Sequence, residues 1–265
     1  MRLRARALLA ALVLILTGTV LVGPAQGAQG PNPDLAAIDA FVEAQMDRHR
    51  IPGLALAITK GDRIVHLQGY GSAGDGRPVT PQTPFHIGSI SKSFTALAVM
   101  QLVEQGEVDL DAPVRAYLPW FQVADEGASQ AITVRHLLHQ TSGLAEETYM
   151  ADLPADATLE RAVRDLRRAE PVDPPGTSFH YFNQNYAALG MIVEEVSGQS
   201  YGDYIRTHIF DPLEMNDSAV TLEDIVALDI AQGFGTLFGF PIARRQEAAT
   251  YDMAEGGLVS TAEEM

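Results

Sequence analysis

The pattern of apolar and polar positions predicts an amphipathic helix and then a β-hairpin near the start of the chain. Between residues 34 and 50, apolar side chains recur at helical spacing, at Leu35, Ile38, Phe41, Val42 and Met46. Asp34 is a suitable N-cap for this helix. Two β-rich runs follow at 54–59 and 63–68, and a turn at residues 60–62 divides them, which is typical of an antiparallel hairpin.

From residue 89 onwards the pattern becomes helical, and strand-like runs are scarce up to about residue 230. Apolar periodicity predicts helices over 89–105, 134–139, 159–169, 185–196 and 201–209. Gly106 and Gly198 are natural helix stops. Residues 96–100 are apolar on every side, so we expect that helix to be buried on most faces. The pattern therefore predicts a first helix and strands over 34–88 and a mostly helical part over about 89–240.

The first 28 residues have the pattern of a secretory signal peptide. Arg2, Arg4 and Arg6 precede an apolar run over 7–22, and small residues follow, with a cleavage point near Gly27 or Ala28. The alternative is a retained single-helix anchor, although the run is slightly short for a full span. In both cases we expect the domain at 29–265 to be secreted or periplasmic, with membrane association only through an uncleaved leader.

Composition excludes several classes of protein. The chain has 18 basic and 34 acidic residues, and removal of the leader would move its net charge from −16 to about −19. Such an acidic surface repels phosphate groups, so we expect no nucleic-acid partner. The chain has no cysteine, which excludes disulfides, thiol catalysis and cysteine-ligated zinc. With 46% hydrophobic residues, the fold has to be held by its core.

Three further patterns give weak signals for ligands. Residues 69–74 have the glycine spacing of a dinucleotide-binding loop, but turn residues follow instead of a helix, so we expect these glycines to end a strand. His136 and His139 have helical spacing but no obvious acidic or cysteine partner, so we predict no metal and no cofactor. The arginines at 161, 164, 167 and 168 indicate a solvated helix face, with a contact to a substrate carboxylate as the alternative.

The strongest chemical signal is the pair formed by Ser89 and Lys92. Only two lysines occur against sixteen arginines, and one of them follows a serine by three positions. A serine hydroxyl needs a neighbour that accepts its proton, and a lysine can do so once its surroundings lower its pKa, whereas arginine stays protonated. On a helix Ser89 and Lys92 share a face, while Ser91 points elsewhere. The Ser-x-x-Lys motif is weak when it stands alone.

A second cluster lies in a loop that leads into a helix. Tyr181 and Asn183 are two positions apart and could face one cavity. A phenol there could shuttle a proton, and an amide could orient a substrate carbonyl. Ser89, at the start of its own helix, would add the helix dipole and a free backbone N–H for an oxyanion.

Three ordered stretches together resemble the serine β-lactamase-like hydrolases. They are residues 85–94 around Ser89, residues 133–144, and residues 175–183 ending in Tyr181, Phe182 and Asn183. The sequence is most similar to the branch with class C β-lactamases, DD-peptidases, D-aminopeptidases and related esterases, over residues 34–265. The resemblance implies an α+β fold of the β-lactamase/transpeptidase type, in which an antiparallel sheet flanked by helices carries an inserted all-helical subdomain.

The resemblance also implies an acyl-enzyme cycle. Ser89 would attack a carbonyl, Lys92 and Tyr181 would manage the protons, and Asn183 would hold the substrate. Lys92 and Tyr181 would titrate as a coupled pair, which leaves open which of them is the base.

Two features depart from the family pattern. Phe182 stands where a small residue is usual, which makes the size and polarity of the pocket uncertain. The family also has a third motif, Lys-Thr-Gly or His-x-Gly, on a strand followed by further strands and a helix, whereas residues 256–265 resemble the region just before it. We therefore expect a fragment without the C-terminal strands and helix, weakly active or inactive alone, because one lost oxyanion donor costs about 100- to 1,000-fold in rate.

These patterns together predict an exported serine hydrolase acting through an acyl-enzyme on Ser89. Its substrate would be an ester, a D-amino-acid peptide or a β-lactam, with ester or peptide hydrolysis favoured. The alternatives are a non-catalytic module that binds cell-wall peptides or regulates a partner, and an inactive fragment of a longer hydrolase. Retention of Ser89, Lys92, Tyr181 and Asn183 argues against the non-catalytic module.

Overall fold

The computed structural model describes residues 34–149, 152–244 and 249–265, so the predicted leader at 1–28 lies outside the described residues. The helices of this part are α1 Leu35–His49, α2 Ser91–Glu104, α3 Glu126–Ala131, α4 Val134–Leu138, α5 Leu159–Asp165, α6 Gln184–Ser197, α7 Tyr201–Ile205 and α8 Leu222–Ala227. The strands are β1 Gly53–Lys60, β2 Arg63–Gly74, β3 Arg77–Pro78, β4 Phe85–His86, β5 Gly233–Leu237, β6 Phe240–Arg244 and β7 Val259–Ser260. The chain is therefore of the α+β class.

The first helix and hairpin are as the sequence predicts. Asp34 caps α1 by accepting a hydrogen bond from the Ala37 backbone N–H at 3.1 Å. Strands β1 and β2 pair antiparallel around the turn at residues 60–62, and β3 extends the sheet on the far side of β2. The strand predicted over 63–68 is longer in the structure, where β2 continues through the glycines and ends at Gly74. A Cβ at Gly69 would lie 2.2 Å from the Val79 carbonyl oxygen, so the glycine lets the backbone approach.

Helix α2 lies at the centre of the site region and, as predicted, is buried or half-buried on most faces. Its inner face carries Lys92, Thr95 and Leu102, which are buried. Its outer face leaves Leu97 44% and Met100 43% exposed. The exposed side chains form a single stripe along the helix, and the inner face packs against α6 and residues 253–257.

Helix α6 forms the main wall of the core. Its residues 184–193 are all buried, and Gly198, at φ 68°, ends it in the left-handed conformation. Gly190 lies where α6 meets the π-helical turn Met253–Gly257. A Cβ at this position would come 2.7 Å from Ala254 Cβ, so the glycine lets the two elements approach closely. This turn is thereby held against both α2 and α6.

The pairing of strands β4 and β7 holds the residues just before α2 against residues 258–260. Phe85 pairs with Ser260 and His86 with Val259, and the Ile87 backbone N–H donates to the Leu258 carbonyl at 3.0 Å. Residues near position 260 are consequently neighbours of those that precede Ser89.

The helical part agrees with the sequence in position and differs in length. The helix predicted over 159–169 ends as α5 at Asp165 and continues as a 3₁₀ turn, and the one over 201–209 becomes α7 followed by the π-helical turn Arg206–Phe210. No strand lies between His86 and Gly233 in the described residues. The β5–β6 hairpin was not predicted. Within the described ranges, no helix is both long and apolar enough to cross a membrane.

Candidate active site

Ser89 and Lys92 lie together at the start of α2. Ser89 belongs to the 3₁₀ turn Gly88–Ile90 and is exposed, whereas Lys92, in the first turn of α2, is buried. Lys92 Nζ lies 3.2 Å from Ser89 Oγ, within hydrogen-bond range. Ser91 points away, since it is fully buried and its Oγ accepts from the Leu258 backbone N–H at 3.2 Å. The three-residue spacing therefore produces the predicted contact.

The loop before α6 brings Tyr181 and Asn183 to the same place. The Tyr181 hydroxyl lies 2.6 Å from Ser89 Oγ, and Asn183 Oδ1 accepts from Lys92 Nζ at 2.7 Å. The structure thus gathers all four residues that the sequence indicated.

Phe182 points in the opposite direction from its two neighbours. Its side chain is 0% exposed and packs edge-on against Tyr149, with ring centroids 5.8 Å apart. Phe182 is therefore a core residue, and its ring does not line the exposed site around Ser89. Alternation along the loop turns Tyr181 and Asn183 outward and Phe182 inward.

Gln140 and Glu146 hold this loop, and sequence reasoning missed both. Gln140 Oε1 accepts from the Phe182 backbone N–H at 3.1 Å and from Asn185 Nδ2 at 2.6 Å. Glu146 Oε1 accepts from the Asn183 backbone N–H at 2.8 Å. The signal that could have revealed Gln140 is its place between His139 and Thr141 in the second family-like stretch, where a buried amide needs partners.

Glu255 provides the third contact of Lys92 through its backbone. The carbonyl oxygen of Glu255 accepts from Lys92 Nζ at 2.5 Å. One turn along α2, Thr95 Oγ1 donates to the Ala254 carbonyl at 2.6 Å. Consecutive turns of α2 are therefore attached to the turn Met253–Gly257. A backbone acceptor has no side-chain signature, which explains why sequence reasoning did not find it.

The electrostatics around this turn are unusual. The Glu255 carboxyl is buried, and this burial, together with the nearby charge of Asp252, raises its pKa well above the ordinary value. Burial also raises the pKa of Asp252. On the other side, burial lowers the pKa of His86, whose ring hydrogen-bonds the backbone of Gly257.

Hydrogen bonding fixes the direction in which the Lys92 amine can act. An ammonium has three N–H donors, and the acceptors around Nζ are Ser89 Oγ, Asn183 Oδ1 and the Glu255 carbonyl. When the amine is neutral, the amide and carbonyl oxygens can take its two N–H groups, and its lone pair then faces Ser89 Oγ. The arrangement suits proton transfer between this amine and the serine hydroxyl.

One of the two histidines singled out from the sequence, His136, takes part in a helix cap. His136 completes a capping box with Thr133: its Nδ1 accepts from the Thr133 N–H at 3.2 Å, and Thr133 Oγ1 accepts from the His136 N–H at 3.2 Å. Among the described residues, no cluster of three or more histidine, cysteine, aspartate or glutamate side chains has a metal-binding arrangement.

The arginine-rich helix lies apart from these residues. Arg164 pairs with Glu160 at 2.7 Å and stacks on Trp120, and Arg168 pairs with Asp165. The lining of the surface cavity at this helix does not include Ser89, Lys92, Tyr181 or Asn183. The arrangement fits a solvated, ion-paired face.

Ser89 is an exposed serine at a helix start, and it contacts the buried Lys92 and the hydroxyl of Tyr181. These three residues define a candidate acyl-transfer site on a fold of the β-lactamase and transpeptidase class. The chain belongs to the beta-lactamase family, a family of serine hydrolases, whose model matches residues 38–265.

Three relatives illustrate the range of this similarity. Penicillin-binding protein 4 of Amycolatopsis lactamdurans is 36% identical over 190 residues, covering 71% of this chain and 50% of the relative. The octameric penicillin-binding protein homologue from Pyrococcus abyssi has a TM-score of 0.77 and 33% identity, over 88% of this chain and 55% of that one. EstCE1, a hydrolase with promiscuous acyltransferase activity, has a TM-score of 0.76 and 25% identity, over 87% and 70%. The chain spans about half the length of the curated relatives it matches.

Proposed function

We propose that this chain is the Ser89-bearing part of an exported serine hydrolase that works through an acyl-enzyme. The observation that carries the proposal is the position of Ser89 Oγ, 2.6 Å from the Tyr181 hydroxyl and 3.2 Å from Lys92 Nζ. Tyr181 and Lys92 can each take part in proton transfer, and their contact with the exposed Ser89 hydroxyl would activate it as a nucleophile. Export rests on the leader-like segment at 1–28.

In the acylation step, Ser89 Oγ attacks the substrate carbonyl carbon while its proton moves to the Lys92 and Tyr181 pair. The Oγ–C bond forms, and the backbone N–H of Ser89, at the helix start, is suited to stabilise the oxyanion. The bond to the leaving group then breaks, and the leaving group takes the proton from the pair. Asn183 Oδ1 is occupied by Lys92, so its Nδ2 group is the part that would donate to the substrate.

In the deacylation step, water attacks the ester carbon of the acyl-enzyme. The same pair removes a proton from the water, the Oγ–C bond breaks, and the proton returns to Ser89 Oγ. The product is a carboxylic acid, and the starting arrangement is restored.

The substrate class that we favour is an ester or a D-amino-acid peptide, ahead of a β-lactam. Exposure of Ser89 and Tyr181 leaves the nucleophile open on one side, which suits an extended or bulky acyl group. The names of the relatives, a penicillin-binding protein and a hydrolase with acyltransferase activity, are consistent with this range.

Intact-mass measurement after incubation with penicillin G or with p-nitrophenyl acetate tests the proposal. The expected result is a mass increase equal to one acyl group on Ser89, long-lived with the penicillin and short-lived with the ester. Saturable binding of penicillin G without any covalent adduct from either reagent would favour the non-catalytic module and overturn the proposal.

A further inference from the structure

Glu255 has two features that the reaction described above does not use. Its carbonyl oxygen holds Lys92, while its side chain is buried, with the residue only 7% exposed. Within the described residues its Oε2 atom has no hydrogen-bond partner. A buried carboxyl with an unpaired oxygen is costly, and more so when it is ionised.

The groups around this carboxyl come from several elements. The preceding turn contributes Asp252, which shares a hydrogen bond with Glu255, and Tyr251. Helix α2 contributes Lys92, and the 3₁₀ turn Glu146–Thr148 contributes Glu146.

Two more titratable groups border the same region. Helix α6 packs on the turn and carries Tyr186, whose ring centroid lies 5.7 Å from Lys92 Nζ. Strand β4 contributes His86, bonded to the Gly257 backbone. Lys92 is therefore the only cation among these described neighbours apart from any proton on His86, and the carboxylates of Asp252 and Glu146 oppose ionisation of Glu255.

We propose that Glu255 is a positioning residue for Lys92, and that its neutral, protonated carboxyl is the form that works. The inference rests on the proposed function of Ser89 and Lys92 and adds a residue to it. A neutral Glu255 can share its proton with Asp252 and leave the turn Met253–Gly257 in place, with its carbonyl on Nζ.

Ionisation of Glu255 would harm this arrangement in two ways. An ionised Glu255 would repel the neighbouring carboxylate of Asp252 and drive the turn Met253–Gly257 toward water. This movement would displace the Glu255 carbonyl that orients Lys92. A negative charge near Lys92 would also favour its ammonium form, which cannot accept the serine proton. Both effects lower the acylation rate as pH rises through the Glu255 titration. Protonation of His86, whose pKa burial lowers, would instead affect the acid side of the pH profile.

The kinetic test compares the pH profile of Ser89 acylation by p-nitrophenyl acetate in three variants and the unchanged chain. Glu255→Gln removes the ionisation, so the alkaline fall should move upward by about one pH unit or more. Asp252→Asn removes a neighbour that keeps Glu255 protonated, so the fall should move downward by a similar amount. Glu195→Gln, an exposed carboxyl on α6, is the matched control and should leave the profile unchanged. If Glu255 had only a structural role, the two variants would not shift the alkaline fall of the pH profile in opposite directions.

A second readout does not depend on activity. Because the chain has only two lysines, ¹³Cε-lysine labelling gives two signals, and Lys60→Arg assigns the one from Lys92. The Lys92 shift should show a step from Glu255 ionisation that is absent in Glu255→Gln and moved to lower pH in Asp252→Asn. Identical Lys92 titration curves in the unchanged chain and both variants would overturn the inference. If Glu255→Gln does not fold, the Asp252→Asn shift decides alone. Failure of Ser89 to acylate would overturn the proposed function but leave this readout intact.

Discussion

The hydroxyl of Tyr181 lies 2.6 Å from Ser89 Oγ, although 92 positions separate the two residues in the chain. The contact joins the start of α2 to the loop before α6, and the packing of these two helices fixes its distance. Lys92 approaches the same serine from within α2. The nucleophile therefore has one neighbour set by local helix geometry and another set by tertiary packing.

Replacing Tyr181 with phenylalanine should reduce Ser89 acylation by about 100- to 10,000-fold, because the variant loses the hydroxyl that exchanges a proton with Oγ. Stopped-flow release of p-nitrophenol measures this rate. Tyr117→Phe is the control, since its hydroxyl accepts from the Asp109 backbone N–H and takes no part in the contacts around Ser89. Equal losses in the two variants would point to general destabilisation.

Replacing Lys92 with arginine should reduce acylation by at least about 100-fold, because a guanidinium keeps the charge and cannot accept a proton. The chain offers a matched control in Lys60→Arg, at the exposed end of β1, which should acylate at the rate of the unchanged chain. An active Lys92→Arg variant would show that Lys92 is not the base and would leave Tyr181 in that role.

Phe182→Ala should lower the free energy of unfolding by about 3–5 kcal/mol, since it removes a fully buried ring and its edge-on contact with Tyr149. Phe179→Ala, in the same loop and 67% exposed, should change it by less than about 0.5 kcal/mol. Urea denaturation of both variants makes the comparison. A small effect at Phe182 would contradict its assignment to the core.

Glu255→Gln should stabilise the fold increasingly as pH rises. The folded pKa of Glu255 is raised above its unfolded value of about 4.3, so its favourable protonated state is fully present below that pH and is lost as pH rises through the folded pKa. The stability difference between variant and unchanged chain should therefore grow above about pH 4.3, by up to about 1.4 kcal/mol per pH unit, and then level off. Urea denaturation between pH 4 and pH 9 gives this curve, and a flat difference would contradict burial of the carboxyl.

Much of the candidate site could be predicted because its strongest signals are local. Ser89 and Lys92 need only one helical turn to meet, and Tyr181 and Asn183 belong to one short loop. The contact between Lys92 and the Glu255 carbonyl could not be predicted, because any residue type can supply a backbone oxygen. The direction of the Phe182 side chain could not be predicted either, because its position in the motif does not reveal which way it turns.

The differences in the fold have similar causes. Strand β2 continues through Gly69 and Gly71, which local preference disfavours in a strand, because neighbouring backbone requires the space that a Cβ would fill. Leu97 and Met100 are exposed because their apolar character does not specify which side of α2 faces α6. Tertiary packing decided both outcomes.

The most direct measurement is the site and stoichiometry of acylation under excess p-nitrophenyl acetate. Rapid acid quench followed by peptide mapping should find one acyl group per chain, located on Ser89, in the unchanged chain and in Ser93→Ala. Ser93 is an exposed hydroxyl on the same helix, and its substitution controls for helix disturbance. The Ser89→Ala variant should remain unmodified, although it keeps Lys92 and Tyr181. An acyl group on another residue, or equal labelling of the Ser89→Ala variant, would contradict the assignment of Ser89 as the nucleophile.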